Sequence, residues 1–161
     1  EGRAVSRLDM SDLADFRLRA LGFVFQAYNL IPVLTALENV EYPLVLQGVA
    51  SGERRRAAQE ALLWVGLETC AGRRPDLLSG GQQQRVAVAR AIVHRPALVL
   101  ADEPTANLDS KTGAALLDLM ESLNKDHGVT FLFSSHDPAV LCRARRVVHL
   151  VDGELRGEGS R

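Results

Sequence analysis

Apolar and polar positions change their spacing along the chain, and each change marks a new element. Residues 1–19 are polar and charged, with apolar positions at Leu8, Leu13, Phe16 and Leu18, and Ser11 is placed to cap a short helix there. Residues 21–25 are a short, mostly apolar run that predicts a buried strand ending at Gln26. Asn29 and Pro32 then punctuate a loop over residues 27–32. Thr35 and Glu38 carry the spacing of a capping box, which opens a helix over residues 35–40. Over residues 51–66 Ala58, Ala61, Leu62 and Val65 fall on one helical face, while Glu53, Arg54, Arg55, Arg56 and Gln59 fall largely elsewhere. The arginine triplet could form an anion patch, but a solvated helix face explains it without a ligand.

The second half has a different rhythm. Residues 98–100 are an apolar run ahead of two acids, which predicts a strand buried on both faces. Asp109 caps a helix over residues 110–124, with Leu116, Leu117, Met120 and Leu123 inward and His127-Gly128 at its end. Residues 129–133 read as the next strand, Asp137-Pro138 as the start of a short helix, and residues 147–151 as a last strand. Asp152-Gly153 is its turn, and the glycine-rich tail from Arg156 onward is expected to be loose. Strands alternating with helices predict an α/β fold with a parallel sheet.

Composition narrows the classes. The chain has 161 residues, enough for one domain with a core, and 19 basic against 20 acidic residues leave a net charge of -1. Nothing in that balance suggests a surface for nucleic acid. Cys70 and Cys142 lack paired or metal-type spacing, as in a reducing compartment. No apolar run approaches the ~20 residues that span a bilayer. The expected location is therefore cytoplasmic, with any membrane attachment supplied by a partner.

Two stretches carry candidate chemistry. Ser79 occupies an N-cap position with Gln82 three residues on, and Val86, Ala89 and Val93 recur at helical spacing. Gly80 and Gly81 leave the opening turn bare, so the Ser79 hydroxyl, the free amides and the positive helix end can face one anion. Taken alone, Ser-Gly-Gly is also an ordinary cap. Asp102 and Glu103 end a buried strand, where parallel sheets place ligands, and adjacent carboxylates point in different directions. One can hold a metal while the other addresses water. Alone they also suit a solvated pair, just as His136 alone suits a surface histidine.

The continuous runs LSGGQQQRVAVARA (78–91) and ALVLADEPTANLD (97–109) together resemble the signature motif and Walker B segment of ATP-binding cassette (ABC) ATPases. The resemblance implies a P-loop NTPase (RecA-like) parallel-sheet core with an inserted helical subdomain. Its N-terminal strands would be missing here, with residues 1–27 and 94–161 as catalytic core and 28–93 as helical and signature subdomain. It also implies Asp102 as a Mg2+ ligand beside ATP, Glu103 as general base, and His136 as the switch histidine that contacts the terminal phosphate. Gln26 matches the Q-loop glutamine, which reaches Mg2+ and the attacking water. Residues 106–109 resemble the D-loop, in which Asp109 would both cap a helix and touch a dimer mate. Ser79, Gly80, Gly81 and Gln82 would complete the ATP site of a second subunit, so function implies a dimer. The segments FVFQAYNLIPVLTALENVEYPL (23–44) and ADEPTANLDSKTG (101–113) look closest to the lipoprotein-release and macrolide-export branch, whose partners are membrane permeases. Pro75-Asp76-Leu77 departs slightly from the usual wording ahead of the signature.

No G-x-x-x-x-G-K-[ST] loop occurs, since Lys111 and Lys125 follow Ser and Asn. Relative to the family the chain starts just beyond that loop. Losing about three charge-assisted hydrogen bonds at ~1.5 to 3 kcal/mol each costs ~4 to 9 kcal/mol, or about three or more powers of ten in nucleotide affinity. The chain alone is expected to bind ATP poorly and to present open strand edges and a core uncovered on one side. Three classes remain in view: a partial copy of an ATP-hydrolysing transporter subunit, an inactive module that pairs with an intact subunit, and a soluble ABC ATPase of repair or translation. The absence of long insertions and of a basic surface argues against the last.

Overall fold

A computed structural model describes residues 5–160; residues 1–4 and Arg161, at the outer ends of the expected domain, lie outside it. A three-stranded parallel sheet holds β1 (Leu21–Val24), β2 (Leu98–Asp102) and β3 (Phe131–Ser134) in that order. The register is set by Gly22 against Val99, and Val99 against Phe131. Three helices fill the crossover from β1 to β2: α2 (Ala36–Leu46), α3 (Ser51–Trp64) and α4 (Gly80–Ile92). A single helix, α5 (Ser110–His127), makes the crossover from β2 to β3. Ahead of the sheet stands α1 (Met10–Ala20), and after it come the short α6 (Pro138–Leu141) and the strands β4 (Arg146–Val151) and β5 (Glu154–Ser160).

The centre of the molecule is α4. Val86, Ala87, Val88, Ala89, Ala91 and Ile92 are all buried, so the helix is apolar around most of its circumference and is enclosed by α2, α3, α5 and β1. Gly22 permits its closest approach: a Cβ there would lie 2.1 Å from the Ala91 carbonyl oxygen. Leu62, Leu116, Met120 and Leu123 complete one continuous core that joins helices to sheet. Truncating any of them to alanine should cost ~2 to 5 kcal/mol.

Both capping boxes form. The Thr35 hydroxyl accepts from the Glu38 amide at 3.2 Å and Glu38 accepts from the Thr35 amide at 2.8 Å. The helix they open runs past residue 40 and through Pro43 to Leu46, because Leu37, Val40 and Leu44 are buried along one face, and that packing outweighs the missing proline amide. The cap of α1 is Asp9 and not Ser11: its carboxylate accepts from the Asp12 amide at 2.8 Å, while Ser11 already lies inside the first turn. Asp109 caps α5, which ends at Gly128 in the left-handed conformation.

Two further expectations are corrected. In β2, Val99 and Ala101 are buried, but Leu98 and Leu100 are only half-covered, so one face is closed and the other is not. On that second face Leu21, Phe23, Leu98, Leu100 and the 57% exposed Leu132 line up across the three strands. The tail expected to be loose is strand β5. Asp152 and Gly153 both take positive φ, 52° and 80°, a geometry that folds a chain sharply back on itself. Accordingly β4 pairs antiparallel with β5 in a separate sheet and does not extend the parallel one.

Candidate functional site

Parallel strands bring all their C-terminal ends to one edge, and that edge collects four of the candidate residues. Gln26 follows β1, Asp102 ends β2, Glu103 comes next, and His136 follows β3. Asp102 is exposed and sits in register with Ser134. Glu103 turns the other way. Its φ of +42° lies in the left-handed region that costs a glutamate ~1 to 3 kcal/mol, and its amide donates to the Ser134 carbonyl at 2.9 Å.

The Glu103 carboxylate is held by three donors from the loop after β3. Ser135 Oγ donates to Oε2 at 2.8 Å, the His136 amide donates to Oε1 at 3.2 Å, and His136 Nδ1 lies 2.6 Å from the same Oε1. Partial burial pushes the Glu103 carboxyl up, but the bonds from Ser135 and then His136 outweigh it and hold the group below its ordinary range. It is therefore an ionised acceptor at neutral pH. The imidazole that meets it is 92% exposed.

Residues without a sequence signature complete this turn. Thr105, buried, donates through Oγ1 to Asp137 Oδ2 at 3.1 Å, and the Asp137 amide donates to Ser135 Oγ at 3.2 Å. Asp137 also caps α6 through the Ala139 amide. Thr105, Asp137 and Ser135 thus lead from the loop after β2 back to Glu103. The adjacent hydroxyls of Ser134-Ser135 beside an acid were the available hint.

The Gln26 side chain is exposed, and its loop is tied from several directions. Asn107 Nδ2 donates to the Gln26 carbonyl at 2.9 Å. The Arg90 guanidinium on α4, its charge made costlier by burial, donates to the carbonyls of Tyr28 at 2.9 Å and Asn29 at 2.6 Å. Asn39, fully buried, accepts from the Ile31 amide at 2.8 Å and donates to Ile31, Leu34 and Thr35 carbonyls.

At the signature turn Ser79 Oγ accepts from the Gln82 amide at 3.3 Å, and Gln82 Oε1 accepts from the Ser79 amide at 3.0 Å. The Gln82 side chain is thus committed within its own chain. The amides left ahead of the helix ladder are those of Gly80 and Gly81. The two glycines also serve packing, which the expectation of bare amides did not include. A Cβ at Gly80 would come within 2.9 Å of the Tyr28 hydroxyl, and one at Gly81 within 2.5 Å of Thr112 Cγ2. Asp109 is likewise committed: Thr112 Oγ1 donates to it at 2.6 Å, and the Lys111 and Thr112 amides at 3.1 and 3.0 Å. Those bonds, that of the Thr112 hydroxyl first, hold its carboxyl below the ordinary range.

Tyr28, against Gly80 and bonded to the Asn107 carbonyl at 3.5 Å, brings the signature turn, the loop after β1 and the loop after β2 together. Two clefts of about 430 and 480 Å3 lie elsewhere, one lined by Asp12, Phe16 and Ala97, the other by Trp64, His127 and Val129. Both flank the N-terminal ends of strands, and neither is lined by Asp102 or Glu103. Among the described residues no cluster of three or more His, Cys, Asp or Glu side chains is set to hold a metal, and no helix is long and apolar enough to cross a membrane.

Comparison with known proteins gives one consistent result. The family described as ABC transporter matches residues 2–106. An uncharacterized ABC transporter ATP-binding protein of Thermotoga maritima is 48% identical over 157 residues, covering 98% of this chain and 67% of that protein. A macrolide export ATP-binding/permease protein, MacB 1/2 of Paracoccus denitrificans, is 46% identical over 155 residues, 96% of this chain and 23% of that one. Among solved structures, the ATP-binding cassette MJ0796, a dimer in a post-hydrolysis state bound to ADP and Pi, superposes with a TM-score of 0.82 at 46% identity. That superposition covers 96% of this chain and 68% of the other, so the chain spans about two thirds of the length of its cassette-sized relatives.

Proposed function

This chain belongs to the ABC transporter family of ATP-binding proteins, and on that premise we propose that it works at ATP hydrolysis as one half of a paired cassette that drives a membrane permease. The observation that carries the proposal is the single sheet edge shared by Gln26, Asp102, Glu103 and His136. Residues 1–27 and 94–161 are assigned to the catalytic core and 28–93 to the helical and signature part.

In this reading Glu103 is the general base. Its ionised carboxylate accepts a proton from the water whose oxygen attacks the γ-phosphorus, and ADP leaves. For Oε1 to reach water, the exposed His136 ring must swing off it. His136 then becomes free to donate to the terminal phosphate. Asp102 and Gln26 offer exposed oxygen donors at the same edge, which suits Mg2+, an ion that takes few protein ligands and keeps water and phosphate oxygens. When bound, the ion would neutralise charge on the phosphates of ATP. Ser79 and the Gly80 and Gly81 amides are assigned to the nucleotide of the partner subunit, with Gln82 keeping that turn closed and Asp109 meeting the dimer mate. The relative solved as a dimer supports the pairing. The relative named as an ATP-binding/permease protein supports a permease partner, and through that partner a peripheral position on the cytoplasmic face of a membrane.

A Glu103→Gln variant of the cassette assembled with its permease tests the assignment. It should bind ATP yet lose about 10²- to 10⁴-fold in turnover, and unchanged turnover would remove Glu103 from the chemistry.

One observation favours a second reading. The 161 residues contain no G-x-x-x-x-G-K-[ST], so by themselves they are expected to bind Mg-ATP weakly and could act by closing the ATP site of an intact subunit. Adding the chain to an intact homologue separates the two readings, because only the second predicts a change in that homologue's turnover. Micromolar Mg-ATP binding by the chain alone would contradict the expected weakness.

A further inference from the structure

We propose that Gln84 is a positioning residue for Glu103: its buried carboxamide ties the signature helix to the turn that aims the Glu103 carboxylate. The proposal rests on the reading of Glu103 as general base. Gln84 lies two residues beyond Gln82 on α4 and is fully buried. Its Nε2 donates to the Pro104 carbonyl at 2.7 Å, whereas its Oε1 is buried without a hydrogen-bond partner. Burying a primary amide with its carbonyl oxygen unpaired is costly, and an apolar side chain of equal volume would avoid that penalty. The amide is therefore there for the one bond it makes.

That bond acts at a sensitive place. Pro104 follows Glu103, whose left-handed φ persists only under constraint from its surroundings. Proline has no N–H, so its carbonyl is the one polar backbone group of residue 104, and Gln84 takes it. Beyond it the turn is closed by the Ala106 amide on the Glu103 carbonyl at 3.2 Å and by the Leu108 amide on the Thr105 carbonyl at 3.0 Å. On the far side Ser135 and His136 hold the carboxylate. Gln84 supplies the restraint from the helix side. A displacement of the turn at Ser79 is passed five residues along the chain to Gln84 and from there, through the Pro104 carbonyl, to the turn after Glu103. Held by a single bond, the carboxamide can follow that peptide as it moves.

The test uses the 15N-labelled 161-residue chain without nucleotide. Gln84→Met keeps the volume and removes the donor, and Gln84→Asn keeps the amide but shortens its reach. In both, the His136 amide, which reports on Glu103 Oε1, should shift its resonance, and hydrogen exchange at the Ala106 amide should quicken about tenfold relative to global unfolding, the scale of one lost hydrogen bond. Gln83→Met on the same helix, which removes a bond to the Leu78 carbonyl ahead of it, should move neither. Unchanged His136 resonance and Ala106 exchange in the Gln84 variants would overturn the assignment. So would loss of the whole fold in both, which would make Gln84 a residue of the core alone. None of these readouts needs hydrolysis, so a failure here is distinct from continued turnover by Glu103→Gln, which would sink the general-base reading instead.

Discussion

His136 Nδ1 sits 2.6 Å from Glu103 Oε1, so the two residues assigned to the chemistry are bonded to each other. With the bond from Ser135, that contact helps to keep the carboxylate ionised. His136→Ala removes one of its donors and leaves Ser135 and the residue-136 amide in place. In the nucleotide-free chain the Glu103 carboxyl should therefore titrate closer to the ordinary range than in the wild type, measured by 13C resonance of the side-chain carboxyl. A value that stays put would mean that the imidazole contact contributes nothing.

Gly81 faces Thr112 across the α4–α5 contact, with only 2.5 Å between Thr112 Cγ2 and the site of an added Cβ. Rotation of the threonine cannot relieve the clash cheaply, because its hydroxyl is committed to Asp109 at 2.6 Å. Gly81→Ala should destabilise the chain by ~1 to 3 kcal/mol in urea unfolding. Thr112→Ser, which deletes the methyl and keeps the hydroxyl, should restore most of that loss in the double variant. Additive effects would show that the two positions do not meet.

Acid should weaken the start of α2. The amide and then the hydroxyl of Thr35 hold the Glu38 carboxyl below its ordinary range. Because the folded value is the lower one, this contribution is fully present above the ordinary carboxylate range and is lost as pH falls through the folded value. Thr35→Ala should cost ~1 kcal/mol near neutrality and progressively less in acid, followed by thermal unfolding across that window. An equal cost at every pH would show that the Thr35 hydroxyl does not act on the Glu38 carboxyl.

The half-covered sheet face should make the chain sticky. Leu132 is 57% exposed beside half-covered Leu100 and Phe23, and Leu150 and Leu155 are 67% and 73% exposed on the hairpin. Sedimentation should show association that rises with concentration, and Leu132→Lys should reduce it. A monomer at all concentrations would show that these residues do not form an adhesive surface.

What the sequence discloses is what depends on near neighbours. Thr35 and Glu38, Ser79 and Gln82, and Asp109 with α5 are caps whose partners lie two or three residues away, and each forms as its spacing predicts. The C-terminal ends of β1, β2 and β3 follow from the parallel order, which places Gln26, Asp102, Glu103 and His136 on one edge. Asn39 and Arg90 were silent because each grips loop carbonyls whose positions exist only after folding. Thr105 and Asp137, 32 residues apart, were silent for the same reason. The glycines of the signature turn were legible as a bare helix end but not as the gap into which Thr112 and Tyr28 fit. Strand β5 was hidden by its glycines, which weaken the apolar alternation that marks a strand.

The near contact between Gly22 and the Ala91 carbonyl seats the end of α4 directly on a strand backbone. Because the helix runs unbroken from that contact to the Ser79 cap, about 18 Å away along its axis, a side chain at residue 22 would have to push the helix off the sheet and would carry the distant serine with it.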